Sequence, residues 1–371
     1  MGDYTFMLPT LFGVEGVAAQ EAKRLGLQNV RGEDGRVLCE GSLSDLARLN
    51  LNLRTAERVV LMLGRFPASN FDELFEGVSA IPWEDYIPKD GAFPVRCQCL
   101  DSALHAAVTC SNMIKKAIAQ RLGGKYGLTT LPETGAQYAV RCLIFKDTVT
   151  IGLDTSGPSL HKRGYRALNT GAPLRETLAA AMVLLSRYRG KGPFVDPFCG
   201  SGTIPIEAAL IAKNRAPGLN RSFAAQKWAF VPQQAWLDAA DEAMDKEYHG
   251  IYEIFAADLD PAAVDLALEN AKLAEVADTI AFATGDARQL ATDRPAGRIV
   301  TNPPYGERLM EKQEAEGLYR EFGKAFFKLP KGWELYLLSS HTEFERTFGR
   351  PAPKKRKLYN GPLMCQLYQY L

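Results

Sequence analysis

The sequence predicts two joined units: an α+β module over the first 155 residues, then a mostly parallel, doubly wound α/β sheet closed by an antiparallel hairpin. Three observations predict this. Before Ser156, short apolar runs alternate with helical stretches in no regular order. After Pro173 the order is strictly strand, helix, strand, which is the rhythm of parallel βαβ units. Between them, Ser156–Pro173 (SGPSLHKRGYRALNTGAP) is rich in Gly, Ser and Pro and lacks apolar periodicity, as a linker does.

In the first unit, YTFML reads as a strand and Val14–Leu25 as a helix. GRVLCE is the next strand, and Ser42 is placed to cap a helix over LSDLARLNL. RVVLMLGRF is a longer strand, FDELFEGVSAI a helix and FPVRCQC a strand. Leu104, Val108, Ile114, Ile118 and Leu122 then fall on one face of an amphipathic helix that Gly123-Gly124 should end, with Lys115 beside the apolar stripe. YAVRCLIF and TVTIGLDT flank Lys146-Asp147 as a hairpin.

In the second unit, Arg175–Tyr188 is helical and PFVD is a buried strand running into PFCGSGT. Ile204–Lys213 is a helix, IYEIFAAD a strand, and Pro261 opens the next helix at a position that suits proline. TIAFATGD and RIVTNPP are further strands, Gly317–Leu329 a helix and WELYLLSS a fifth strand. Asn360-Gly361 suits the turn of a terminal hairpin, with Pro362 unusual just after it. Asn214–Gly250 is too long for an ordinary connection. It reads as an insertion near the first strand ends that lines a cleft or only decorates it.

Composition bounds the class. The chain has 371 residues, 46% of them apolar and 23% charged, and no apolar run approaches the ~20 residues of a membrane span. MGDYTFMLPTLFG has neither the basic start nor the cleavage site of a secretory signal. The seven cysteines, an odd number set in apolar stretches, suit reduced thiols in the cytoplasm. Cys97 and Cys99 have no second ligand pair and read as packing; the four histidines are scattered, so no metal site is expected. Net charge is only +1, but basic residues cluster locally. Ser102–Leu131 holds Lys115 and Lys116 and no acid, His161-Lys162-Arg163-Gly164-Tyr165-Arg166 is basic and aromatic, and Arg350–Leu371 holds Lys354, Lys355, Arg356 and Lys357 and no acid. Such clusters can follow a phosphate backbone. The cluster at residues 161–166 could equally join the two units.

The chemistry lies at strand ends. VDPFCGSGTIPIEAAL places Asp196 and Gly200-x-Gly202 between a strand and a helix, where glycines let backbone approach a ligand. Pro205 replaces the third glycine of a dinucleotide fingerprint, and no Gly-Lys-Ser/Thr makes a phosphate loop. An acid there suits a cationic ligand such as S-adenosylmethionine. Asp258 ends the next strand and could take ribose hydroxyls, with Asp260 as a helix cap. Asp286 and the Ala287 amide end the third strand and could meet adenine. The fourth strand ends in Asn302-Pro303-Pro304-Tyr305. Prolines remove donors, leaving the Asn302 side-chain oxygen and the Pro303 carbonyl as paired acceptors for a conjugated NH2 group, with Tyr305 as a flat face for an extruded base.

These motifs are similar to those of class I S-adenosylmethionine-dependent amino-methyltransferases. DPFCGSGT and NPPYGERL carry the likeness, and LHKRGYR, APLRETLAAAM and APGLNRSFAAQKW narrow it. Nearly the whole chain resembles the THUMP-domain RNA methyltransferases, above all the N-terminal half of the bifunctional bacterial enzymes that methylate guanine N2 in large-subunit rRNA. The resemblance implies a ferredoxin-like segment (1–44), a THUMP RNA-binding domain (45–156), a linker (157–172) and a Rossmann-like methyltransferase domain (173–371). It implies that Asp196, Phe198, Gly200, Gly202 and Thr203 hold the methionine end of the cofactor, Asp258 the ribose, and Asp286 with Ala287 the adenine. Leu174, Arg175, Glu176 and Thr177 close over the cofactor. Asn302, Pro303 and Tyr305 receive the target amine beside the cofactor. Arg308 joins the basic clusters as a candidate RNA contact. Proteins with this pattern are often labelled adenine-specific DNA methylases, and the amine grip alone does not separate RNA guanine from DNA adenine or a protein amide. A non-catalytic RNA-binding assembly factor is the alternative from another class; it predicts degraded motifs.

Overall fold

The computed structural model describes residues 4–166, 174–305 and 312–371. The first unit contains β1 (Tyr4–Pro9), α1 (Glu15–Arg24), β2 (Gln28–Glu33), β3 (Arg36–Gly41), α2 (Leu43–Asn52), β4 (Val60–Pro67), α3 (Phe71–Ala80), β5 (Val95–Leu100), α4 (Ala107–Tyr126), β6 (Val140–Phe145) and β7 (Thr148–Asp154). Its strands form one seven-stranded sheet, ordered β2-β3-β1-β4-β7-β6-β5, in which only β5 and β6 pair in parallel. Ser42 caps α2 in a reciprocal box with Asp45. Lys146 and Asp147, with φ of 50° and 55°, make the tight β6–β7 turn.

The second unit contains α5 (Glu176–Leu185), β8 (Phe194–Asp196), α6 (Thr203–Ala212), α7 (Gln233–Asp245), β9 (Ile254–Asp258), α8 (Pro261–Leu273), β10 (Ile280–Thr284), β11 (Ala296–Thr301), α9 (Lys312–Phe326), β12 (Gly332–Ser339), α10 (Phe344–Phe348), β13 (Lys354–Asn360) and β14 (Leu363–Tyr370). The sheet order is β10-β9-β8-β11-β12-β14-β13. The five strands from β10 to β12 pair in parallel, and the β13–β14 hairpin is antiparallel. Strand order reverses at β8, so the crevice for a ligand opens at the carboxyl ends of β8, β9 and β11.

Several elements differ from the sequence expectation. β2 has no apolar alternation to announce it, because as an edge strand it is exposed on both faces. α4 starts at Ala107, leaving Leu104 outside it and Val108 exposed, and it continues through Gly123-Gly124 to close on Gly127 at φ 66°. Glycine at 123 serves the turn instead: a Cβ there would sit 2.7 Å from the Leu128 carbonyl oxygen. The hairpin turn is Gly361-Pro362, since Asn360 and Leu363 are cross-strand partners.

The largest difference is the insertion. Phe223, Ala225, Trp228, Val231, Trp236 and Ala239 belong to the apolar core of the first unit. Trp228 stacks on Tyr138 at 5.1 Å between ring centroids and donates from Nε1 to the Gln137 carbonyl at 2.8 Å. α7 packs along α2, with Arg48 Nε 2.8 Å from Glu242 Oε2. Conversely, Val14 of the first unit is buried in the core of the second. The insertion is therefore more than decoration: it fills the core of the first unit and joins the two units.

Candidate active site

Each expected strand-end acid stands where its strand stops. Asp196 ends β8 fully buried. Its Oδ1 accepts from Thr301 Oγ1 at 2.6 Å and from the Phe198 amide at 3.2 Å, while Oδ2 is buried without a hydrogen-bond partner. An orphaned carboxylate oxygen is costly, and an ammonium would satisfy it. Gly200 and Gly202 have φ of 49° and 84°. A Cβ on Gly202 would lie 2.9 Å from Ala267 Cβ of α8, whereas one on Gly200 would enter open space. One glycine therefore lets the helices pack, and the other leaves a bare backbone beside the N-terminus of α6.

Asp258 accepts from the Gly200 amide at 2.9 Å and from the Asp260 amide at 3.1 Å, so it shapes the loop it faces. Asp260 caps α8 through the Ala262 amide, as the sequence suggests. Asp286 follows β10 with both oxygens on the Arg288 guanidinium, beside the buried Ala287. That ion pair is half exposed on its Arg side and screened by solvent, so it is open to displacement by a ligand at this strand end.

Burial pushes the Asp196 carboxyl up to about 7, with Asp258 nearby adding to it and the Thr301 hydrogen bond opposing. Its folded value lies above the unfolded one, so ionising it costs the ligand-free fold stability. That loss accrues as pH rises from about 4 to 7 and is complete above. A bound ammonium reverses the balance, because binding then draws on the ionised form. Affinity for S-adenosylhomocysteine should fall below pH 7, approaching about tenfold per unit, and Asp196→Asn should flatten the profile. Calorimetric titration across this range checks it; an unchanged slope in the variant would remove the ammonium role from Asp196.

The Asn302 corner follows Thr301, whose hydroxyl ties it to Asp196. Pro303 is buried, and Tyr305 packs against the apolar cluster that holds Val14 and Leu358. The Tyr305 hydroxyl donates to Asn302 Oδ1. Tyr319, buried on α9, donates to the Pro304 carbonyl at 2.6 Å and so braces the corner from below. Sequence reasoning singles out neither Thr301 nor Tyr319. Thr301 precedes the motif directly, but Tyr319 lies fifteen positions beyond Pro304 and carries no local signal.

At the start of α5, Leu174, Glu176 and Thr177 are buried. Thr177 Oγ1 donates to Glu57 of the first unit, and Arg175 Nη1 lies 3.5 Å from the same carboxylate. Glu57 also accepts from Ser159 Oγ and lies 3.1 Å from His161 Nδ1. Burial opposes ionisation of this carboxyl, but the His161 and Thr177 hydrogen bonds and the nearby Arg175 hold it down at about 2. Arg166 reaches Thr203 Oγ1 at 2.6 Å and Glu176 Oε1 at 3.5 Å.

The segment 161–166 is therefore a strap between the units, and the RNA expectation is corrected for Arg163. Its side chain is 3% exposed. It meets Glu207 at 3.3 Å and donates to the Leu160 and Arg54 carbonyls. A guanidinium buried this deeply, with each of its three nitrogens already bonded inward, is out of reach of a phosphate. His161 and Arg166 are likewise turned inward, and only Lys162 of the four stands exposed. Lys116 is exposed, whereas Lys115 bonds Glu133 at 2.7 Å and lies 4.5 Å over the Phe93 ring. Lys354, Lys355, Arg356 and Lys357 are all exposed along β13, with Lys355 paired to Glu345. Arg308 lies outside the described residues. Among the described residues, no group of His, Cys, Asp or Glu is arranged to hold a metal, and no helix is long and apolar enough to cross a membrane.

Comparison with known proteins follows the same division. Residues 163–369 match the RMKL-like methyltransferase domain, residues 5–60 the RlmL ferredoxin-like domain and residues 68–154 the THUMP domain. The chain is 44% identical to the Bacillus subtilis protein provisionally named RNA methyltransferase YpsC, covering 100% of this chain and 96% of that one. It is 33% identical to the ribosomal RNA large subunit methyltransferase K/L of Psychromonas ingrahamii over 99% of this chain, but spans only 50% of that enzyme. The crystal structure of a predicted N6-adenine-specific DNA methylase from Listeria monocytogenes superposes with a TM-score of 0.94 at 44% identity, covering 100% of this chain and 97% of that one. A methyltransferase structure complexed with S-adenosylhomocysteine superposes at 0.92 with 39% identity, covering 100% and 98%. With all three domain models matched along its length, the chain belongs to the RMKL-like methyltransferases that carry ferredoxin-like and THUMP domains and use S-adenosylmethionine.

Proposed function

We propose that the protein methylates an exocyclic amine of RNA, and specifically N2 of a guanine in large-subunit rRNA. One observation carries the chemistry: the Asn302 corner is tied through Thr301 to Asp196, the acid that in this reading holds the cofactor's methionine end. S-adenosylmethionine supplies an electrophilic methyl group on its sulfonium. The chain's own part is positioning. Asn302 Oδ1 and the Pro303 carbonyl accept the two hydrogens of the amine, which favours a pyramidal nitrogen and aims its lone pair at the methyl. The same acceptors stabilise the positive charge that develops there. Tyr305 turns its hydroxyl away from Asn302 and offers its ring to the extruded base.

RNA is supported by the THUMP match and by the names of the rRNA methyltransferases that the chain resembles. In this reading residues 45–156 anchor the RNA, residues 1–44 and the linker 157–172 join that anchor to the catalytic domain 173–371, and the protein works in the cytoplasm, with its seven cysteines free. The likeness to the Listeria protein, named for adenine N6 methylation of DNA, favours a second reading with that substrate. One experiment separates them: purified protein, methyl-labelled cofactor, undermodified rRNA and unmethylated DNA, then digestion and identification of the labelled nucleoside. Labelled N2-methylguanosine is expected. Labelled N6-methyladenine in DNA overturns the RNA reading, and label in neither favours the assembly-factor alternative.

A further inference from the structure

The loop after β1 leaves its own unit and lies against β13 of the other. Val14 is wholly buried in the apolar cluster that also takes in Leu358 and Leu367 of the hairpin, and Leu11 packs against the same cluster. Gly13 is pressed onto the strand so closely that a Cβ there would lie 2.5 Å from the Lys357 carbonyl oxygen; its φ is 87°. Arg356 donates to the Gly13 carbonyl at 3.0 Å. Between these anchored residues Phe12 points outward, 52% exposed. Its ring meets Tyr359 edge-on at 6.0 Å, and Lys357 Nζ lies 5.4 Å from the Tyr359 ring.

The register of the sheet puts this pair at the catalytic edge. Lys357 and Ser339 both pair with Gln366, so Lys357 is level with the carboxyl end of β12. Leu358, Tyr359 and Asn360 therefore extend past the edge on which Asn302 stands. Tyr305 packs against the same apolar cluster as Leu11, Val14 and Leu358. The approach to this edge runs along the exposed β13, in a stretch from Arg350 to Leu371 that has no acid. An exposed Phe12 ring braced by the half-buried Tyr359, on an anchored backbone beside exposed lysines, matches the surface that holds an unpaired base and its phosphates.

We propose that Phe12 and Tyr359, with Lys357, form a subsite for a single-stranded nucleotide flanking the target, contributed jointly by the two units. This rests on the RNA reading above. The base stacks on the Phe12 face that Tyr359 leaves open, and the phosphates follow β13. The positive charge of the strand complements the RNA backbone, which is why the occupant is nucleic acid and not a second copy of this chain.

The test uses the full chain and unmodified large-subunit rRNA transcript. Phe12→Ala should raise KM for RNA by about fivefold or more, the loss expected of one base–aromatic stack, with the binding of S-adenosylhomocysteine and the salt dependence unchanged. The Lys357→Ala variant should lower the salt slope instead, because it removes a phosphate contact. Phe12→Trp should keep a low KM. All four native tryptophans are buried, so the introduced indole should report RNA as quenched fluorescence. If wild type methylates RNA and Phe12→Ala keeps the wild-type KM, the subsite is refuted and the RNA reading stands. If wild type methylates no RNA, the reading beneath both falls. A concentration-dependent dimer that Phe12→Ala dissolves would assign the face to a second copy and overturn the proposal.

Discussion

Asn302→Ala should lower turnover by about 10²- to 10³-fold, the size seen when one preorganised polar group at a developing charge is removed, while S-adenosylhomocysteine binds nearly as before. The split is the informative part. Among the described residues, Asn302 connects to Asp196 through its neighbour Thr301, whose bond to Asp196 does not involve the Asn302 side chain. The corner itself is held by Tyr319 on the Pro304 carbonyl and by the burial of Pro303. Truncating the carboxamide should thus leave the backbone in place and remove an acceptor alone. Tyr305→Phe makes a control, since it keeps the stacking ring and frees Asn302 of the hydroxyl that now caps it. It should cost far less than Asn302→Ala. Turnover unchanged in Asn302→Ala would withdraw the catalytic role; a parallel loss of cofactor binding would make it structural.

Arg163→Ala should destabilise the fold by about 3–5 kcal/mol, because it strands a buried carboxylate. Glu207 is fully buried; Arg163 and the Tyr165 hydroxyl, at 3.2 Å, both bond its Oε1, and Oε2 has no partner. The Leu160 and Arg54 carbonyls lose their donor as well. For a chain of this size that loss corresponds to a fall in Tm on the order of 5 °C, readable by calorimetry. Arg163→Met combined with Glu207→Met should recover part of it, since a buried pair replaced by apolar side chains is far cheaper than half a pair. If Arg163→Ala leaves Tm alone and weakens RNA binding, the guanidinium faces solvent and the sequence expectation is restored.

What is legible in the sequence is local. Asp196, Asp258 and Asp286 each follow an apolar strand and precede a helix or turn, and the Asn302 corner is four consecutive residues, so each can be read within a short window. What is not legible depends on distant partners. Glu57 has no motif of its own, and its meeting with Thr177 spans 120 positions. In the basic strap, composition cannot tell a phosphate contact from a strut. Arg163 and Tyr165 turn inward there while Lys162 and Gly164 turn outward, and nothing local sets that phase. The insertion after Asn214 hides its destination for the same reason. Its tryptophans complete a core built almost wholly from residues that precede Ser156.

That last feature bears on how the chain is made. The N-terminal half cannot finish folding as it emerges from the ribosome, because Phe223, Trp228 and Trp236 have yet to be synthesised when β7 is complete. At ordinary elongation rates the delay is on the order of ten seconds. Over that interval the nascent module lacks part of its apolar core, a natural target for chaperones, and stalled translation within the insertion should leave a product prone to aggregate.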